Sequence, residues 1–219
     1  MALPVVCVQE SIADEFVSLL KKKAEAMKLG CAYDEDTDLG PVVNAGHKEK
    51  ICNWIQKGID EGAELVLDGR NAVVPGYENG FFVGPTILDH VTPEMTVGNR
   101  EIFGPVTCIK RVKDYEEGIA VMNANPFANG SCIFTQSGYY SRKFAMETDG
   151  GMVGINVGIP VPTAYFPFSG NKDSFFGDLH VLGKDGYRFF TRAKTVTTHW
   201  FDEAAGKRKV GTWEGSTEA

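Results

Sequence analysis

A carboxylate and an aromatic ring stand two residues apart at Glu101 and Phe103, within the run EIFGPV at 101–106. In an extended segment, side chains two apart project to the same side. The pair could therefore face one ligand, the carboxylate accepting hydrogen bonds from hydroxyls and the ring lying against a flat heterocycle. Gly104 and Pro105 supply a turn directly behind them. Spacing alone also allows a structural reading, with Phe103 in the core and Glu101 on the surface at the mouth of a strand. Neither residue is a nucleophile, so any reaction served by this pair draws its attacking group from elsewhere.

A second candidate lies at 158–168, where Pro160, Pro162 and Pro167 stiffen an apolar loop that carries Tyr165, Phe166 and Phe168. Such a loop can wall a ligand pocket, or its rings can simply pin it to the core. The thiols offer little. Cys7, Cys31, Cys52, Cys108 and Cys132 form no Cys-x-x-Cys pair, and Cys7 sits in an apolar run that raises a thiol's pKa and leaves it inert. The histidines at 47, 90, 180 and 199 are equally scattered. No metal site is expected, and the reduced, dispersed cysteines fit an intracellular protein.

These segments are not isolated. Leu39-Gly40-Pro41, FFVGPTIL at 81–88, NPFANGSCIFT at 125–135, GMVGIN at 151–156, FPFSGNK at 166–172 and KTVT at 194–197 resemble the aldehyde dehydrogenase superfamily, in its order, over residues 1–201. IPVPTAYFPFSGNK at 159–172 and SFFGDLHVLGKDG at 174–186 are most similar to its CoA-acylating, methylmalonate-semialdehyde dehydrogenase branch. The resemblance implies an α/β fold: a partial, parallel-sheet catalytic domain at 1–190, an oligomerisation strand at 191–201, and a polar, unstructured tail at 202–219. It implies that Glu101 binds the nicotinamide-ribose hydroxyls of NAD and that Phe103 lies beside the nicotinamide. Tyr165, Phe166 and Phe168 would line the aldehyde tunnel, and residues 194–201 would extend the sheet of a neighbouring subunit in a homo-oligomer.

The implied reaction converts a semialdehyde, CoA and NAD into acyl-CoA, CO2 and NADH. In the family the nucleophilic cysteine stands directly before Met-Ala-Leu, and this sequence opens Met1-Ala2-Leu3. The nucleophile and the nucleotide-binding domain are therefore expected upstream of Met1, no catalytic residue is assigned within 1–219, and the isolated chain is expected to be inactive. Relatives of this branch are mitochondrial in eukaryotes and cytoplasmic in bacteria. A non-catalytic oligomerisation module and a member of another aldehyde dehydrogenase branch remain the alternatives.

Composition is compatible with a folded domain: 219 residues, 43% hydrophobic, with a net charge of −7 spread along the chain. An interspersed acidic balance argues against nucleic-acid binding, and no apolar run reaches the roughly 18–20 residues of a membrane span. The elements that must position the candidate residues follow from periodicity. A strand is predicted at 3–9, then a helix capped by Ser11, apolar along Ile12, Phe16, Leu19 and Leu20, and stopped by Gly30. Asn44 begins a second helix with Ile51, Trp54, Ile55 and Ile59 on one side. Strands are predicted at 63–67, 81–87, 106–112, 132–135, 152–156 and 195–201, and helices at 114–123, 139–147 and 184–191. The alternation between 106 and 156 predicts a parallel sheet with helical crossovers.

Overall fold

In chain order the elements are β1 (Val5–Gln9), α1 (Glu10–Glu25), α2 (Ala45–Asp60), β2 (Glu64–Leu67), β3 (Thr86–Asp89), α3 (Thr96–Asn99) and β4 (Val106–Val112). There follow α4 (Tyr115–Asn123), β5 (Phe127–Ala128), β6 (Gly130–Ile133), α5 (Gly138–Glu147), β7 (Met152–Ile155), β8 (Asn171–Lys172) and α6 (Gly183–Phe189). They come from a computed structural model, and the structure describes residues 3–200.

The principal sheet has the order β1-β4-β3-β2, with β1 and β3 parallel to β4 and β2 antiparallel at the edge. Its interior strands are covered on both faces, and their side chains divide by the two-residue period. On one face Leu88 and Cys108 join Ile51 and Ile55 of α2, together with Val83, Val97 and Val106. On the other, Ile87 and Ile109 meet Ala13, Val17 and Ala24 of α1. The expected α/β architecture is present, as a mixed sheet.

Local signals placed several elements well. Asn44 caps α2 by accepting the backbone N–H of His47 at 2.8 Å, and Asp114 caps α4 by accepting that of Glu117 at 3.0 Å. Glu117 in turn accepts the backbone N–H of Lys113, which closes the capping arrangement. Others shift. Ser11 is not a cap: β1 runs straight into α1 at Glu10, with Gln9 in the cap position and no side-chain bond. The helix ends at Glu25 rather than at Gly30, whose N–H instead donates to the Leu39 carbonyl at 3.1 Å. Small Ala13, Val17 and Ala24 face the sheet, while Ile12 and Leu19 point outward and are more than half exposed.

The strand expected at 81–87 shrinks to β3. Gly69 and Gly84 pack backbone to backbone before it, so closely that a Cβ on Gly69 would sit 1.9 Å from the Gly84 oxygen, and Pro85 has no N–H to give a ladder. The predicted alternation between 106 and 156 also divides. β6 and β7 form the expected parallel pair joined by α5, but as a separate two-stranded sheet, while β5 pairs antiparallel with β8. The strand expected at 195–201 is not formed over the described part of that range: residues 191–200 carry no strand and are all exposed. Phe201, the tail expected at 202–219, and Met1 and Ala2 lie outside the described residues.

The two cores draw only on residues up to Val112. Beyond it, Ala128, Phe144 and Met152 are the buried hydrophobic residues among those described, whereas Tyr165, Phe176, Phe190 and Trp200 are exposed.

Candidate cofactor and substrate site

Parallel pairing sets the location of the first candidate. Val5 lies opposite Cys108, so the residues leading into β1 and those leading into β4 emerge at the same end of the sheet. Leu3 and Pro4 are there, with the Pro4 carbonyl accepting the Cys108 N–H at 2.8 Å. So are Glu101, Phe103, Gly104 and Pro105, whose carbonyl accepts the N–H of Thr86 at 2.8 Å.

The segment leading into β4 is anchored from below. Ile102 is buried in the core beside Ile51, while its neighbours Glu101 and Phe103 face outward. The reading with Phe103 in the core is thereby corrected: the residue is 73% exposed. Gly104 lies directly over Ile51, and a Cβ there would come within 2.6 Å of Ile51 Cδ1. Phe103 holds φ at +60°, the left-handed region that an aromatic residue rarely enters. The Nε2 of His47 lies 2.7 Å from the Phe103 carbonyl. A carbonyl only accepts, so His47 carries a proton on Nε2. The two rings also meet edge-on at 6.2 Å. Sequence reasoning passed over His47; its place at the third position of α2 was legible, but its partner 56 residues away was not.

Glu101 makes no hydrogen bond or ion pair among the described residues and is exposed. A partnerless carboxylate beside an exposed ring face on a fixed loop suits a ligand with vicinal hydroxyls and a flat heterocycle. The residues present therefore fit NAD.

The second candidate is a groove of about 450 Å³ between β7 and the loop that follows it. Val153, Ile155, Val157, Pro160, Val161 and Phe166 give it an apolar lining. Of the three predicted aromatics, Phe166 is in the groove wall. Tyr165 is 88% exposed. Phe168 is half-buried, its N–H donating to the Val181 carbonyl at 2.9 Å, so it ties the loop down from behind.

Polar contacts hold this loop in shape. Asn156, at φ +56°, accepts the Thr135 N–H at 2.8 Å and donates to the Thr135 carbonyl at 2.9 Å, imitating a strand neighbour with its amide. It is a loop-fixing residue. Ser169 donates to the Gly151 carbonyl at 2.6 Å. The Lys172 ammonium bonds the Asn123 and Asn125 carbonyls at the end of α4, and pairs with Asp149 at 2.5 Å, where a cation also suits the helix dipole. At the loop's start, a Cβ on Gly158 would sit 3.4 Å from Leu3 Cδ1. The opening of the chain thus lies against the groove loop.

Burial pushes the Cys108 thiol up to about 12, and it raises Cys7 and Cys132 as well. These three stay protonated and unreactive near neutrality. Among the described residues no cluster of three or more histidine, cysteine, aspartate and glutamate side chains could hold a metal. No helix among the described residues is long and apolar enough to cross a membrane.

The family model of the aldehyde dehydrogenases matches residues 1–196. The chain belongs to this family. Malonate-semialdehyde dehydrogenase 2 of Oceanobacillus iheyensis is 52% identical over 200 residues, covering 91% of this chain and 41% of the relative. A methylmalonate-semialdehyde dehydrogenase from Oceanimonas doudoroffii superposes with a TM-score of 0.87 at 43% identity, covering 93% of this chain and 41% of that one. A protein from Sinorhizobium meliloti, assigned as a methylmalonate-semialdehyde dehydrogenase and solved with NAD, gives 0.89 at 42% identity, with 91% and 41% covered. The chain thus spans about two fifths of the length of these aldehyde dehydrogenases.

Proposed function

We propose that this chain supplies the rear part of an NAD-dependent, CoA-acylating dehydrogenase that converts malonate or methylmalonate semialdehyde, CoA and NAD into acyl-CoA, CO2 and NADH. The carrying observation is the closeness of Leu3 to Gly158, where a Cβ would sit 3.4 Å from Leu3 Cδ1. Under the family resemblance the nucleophilic cysteine stands just before Met1. A chain opening that lies against the apolar groove would bring that sulfur beside a bound aldehyde.

In this reading Glu101 accepts the ribose hydroxyls of NAD through charge-assisted hydrogen bonds, and Phe103 gives the nicotinamide a flat apolar face. NAD, when bound, takes up the hydride. Holding its ring still matters because transfer needs the reacting atoms about 3–3.5 Å apart. Phe166, with Tyr165 and Phe168 shaping the same loop, keeps water from the acyl group until CoA arrives. Residues 194–201, with Trp200 exposed, associate with a second subunit by strand addition.

A chimera tests this. Residues 1–219 replace the matching portion of the Oceanobacillus relative, which supplies the upstream sequence. The chimera forms NADH from malonate semialdehyde only with CoA present, and the isolated chain forms none. NADH formation by the isolated chain, or CoA-independent turnover by the chimera, would overturn the proposal.

A further inference from the structure

We propose that His180 is a positioning residue that clasps a strap, residues 174–186, across the back of the groove loop and so sets the place of Phe166; this rests on the enzymatic reading above. The half-buried imidazole has three neighbours. Its Nε2 donates to the Gly170 carbonyl at 3.0 Å, its Nδ1 lies 3.5 Å from Asp185 Oδ2, and its ring stacks on Phe175 at 4.2 Å and 28°. Immediately after it, the Val181 carbonyl accepts the Phe168 N–H at 2.9 Å, and the Gly183 N–H donates to the Ala164 carbonyl at 3.0 Å.

Between those bonds the two backbones touch. Gly183 has φ +57°, and a Cβ on it would fall 2.8 Å from the Tyr165 oxygen and 3.0 Å from the Phe166 carbonyl carbon. Only glycine lets the strap lie flush here. The strap therefore bears directly on the backbone of Phe166 and Pro167, both of which line the groove. Among the described residues neither core cluster includes this part of the chain, so the hydrogen bonds of the strap carry much of the wall's placement.

Amide exchange in the full 219-residue chain tests the clasp. His180→Ala accelerates exchange at the Phe168 and Gly183 amides about tenfold, the equivalent of one net hydrogen bond, and leaves the Leu88 and Ile109 amides of the main sheet unchanged. His180→Gln, which keeps a donor for Gly170, recovers part of the protection. Unchanged exchange at Phe168 and Gly183 overturns the proposal. Should His180→Ala lose protection throughout the sheet, Gly183→Ala lifts the strap by a methyl group instead. Faster exchange at position 183 and at Phe168 then supports the clasp, and unchanged exchange at both overturns it. In the chimera, His180→Ala raises KM for malonate semialdehyde about tenfold while kcat is retained; equal loss in kcat overturns the positioning role. An inactive parent chimera counts against the enzymatic reading, whereas unmoved amides count against the strap.

Discussion

His47 and Phe103 form a single unit: the imidazole Nε2–H donates to the Phe103 carbonyl over 2.7 Å and holds an aromatic residue at φ +60°. Such a conformation costs on the order of 1–3 kcal/mol and persists only where its surroundings enforce it. The enforcing groups are identifiable. His47 sits in the capped first turn of α2, Ile102 is sunk in the core, and Gly104 rests on Ile51. The loop that carries Glu101 is thus fixed before any ligand arrives.

Removing the imidazole frees the loop. His47→Ala is expected to lower stability by about 1 kcal/mol, one net hydrogen bond, seen as a reduced urea midpoint. In the chimera, KM for NAD rises while KM for the semialdehyde holds. His47→Gln keeps a donor and restores part of both. A wild-type KM for NAD in the alanine variant would remove His47 from this role.

Glu101 is exposed and partnerless within the described chain, so Glu101→Ala should change stability by no more than about 0.5 kcal/mol. Turnover in the chimera should nevertheless fall, because the hydroxyl contacts that steady the nicotinamide are gone. Steady-state kinetics beside a thermal melt make the comparison. An unaltered kcat argues that the carboxylate is mere surface.

Acid should destabilise the chain through Asp89. Burial alone would raise this carboxyl, but Arg111 at 2.8 Å and the His90 N–H at 2.7 Å outweigh burial and hold it below its ordinary value. A lowered folded-state pKa contributes stability that is present above the unfolded carboxylate value, about 3.9, and lost as pH falls through the folded value. Asp89→Asn leaves Arg111 with Asp14, at 2.7 Å, as its remaining carboxylate, and should cost about 1.5–3 kcal/mol near neutrality for the lost charge-assisted hydrogen bonds. The variant's stability should then vary less with pH below about 4. Urea titrations at several pH values measure both, and parallel pH profiles for parent and variant would assign the acid sensitivity to other groups.

Association should depend on the C-terminal segment. Residues 191–200 are exposed throughout and form no strand within the chain, so the segment lies open to addition of a neighbouring strand. Sedimentation velocity of the parent is expected to show assemblies larger than a monomer, and deletion of 194–201 to shift the distribution toward monomer. A parent chain that sediments as a sharp monomer contradicts strand addition.

Much of this protein is written locally. The capping of α2 by Asn44 and of α4 by Asp114, the bounds of β4 and the β6-α5-β7 crossover depend on residues a few positions apart, which periodicity and capping chemistry register directly. The order of the short motifs was enough to place the chain in its family, whereas the same-side rule for Glu101 and Phe103 presumed an extended backbone that Phe103, at φ +60°, does not adopt. Three-dimensional packing decided the rest. It chose Ala13 and Val17 over Ile12 and Leu19 as the sheet-facing residues of α1, set β6 and β7 apart from the main sheet, and brought His47 to Phe103 and His180 to Gly170. It also laid Leu3 against Gly158, joining the opening of the chain to the groove. These contacts connect residues from 10 to 155 positions apart, and a sequence read in short windows holds no trace of which distant backbone groups will be near enough to bond.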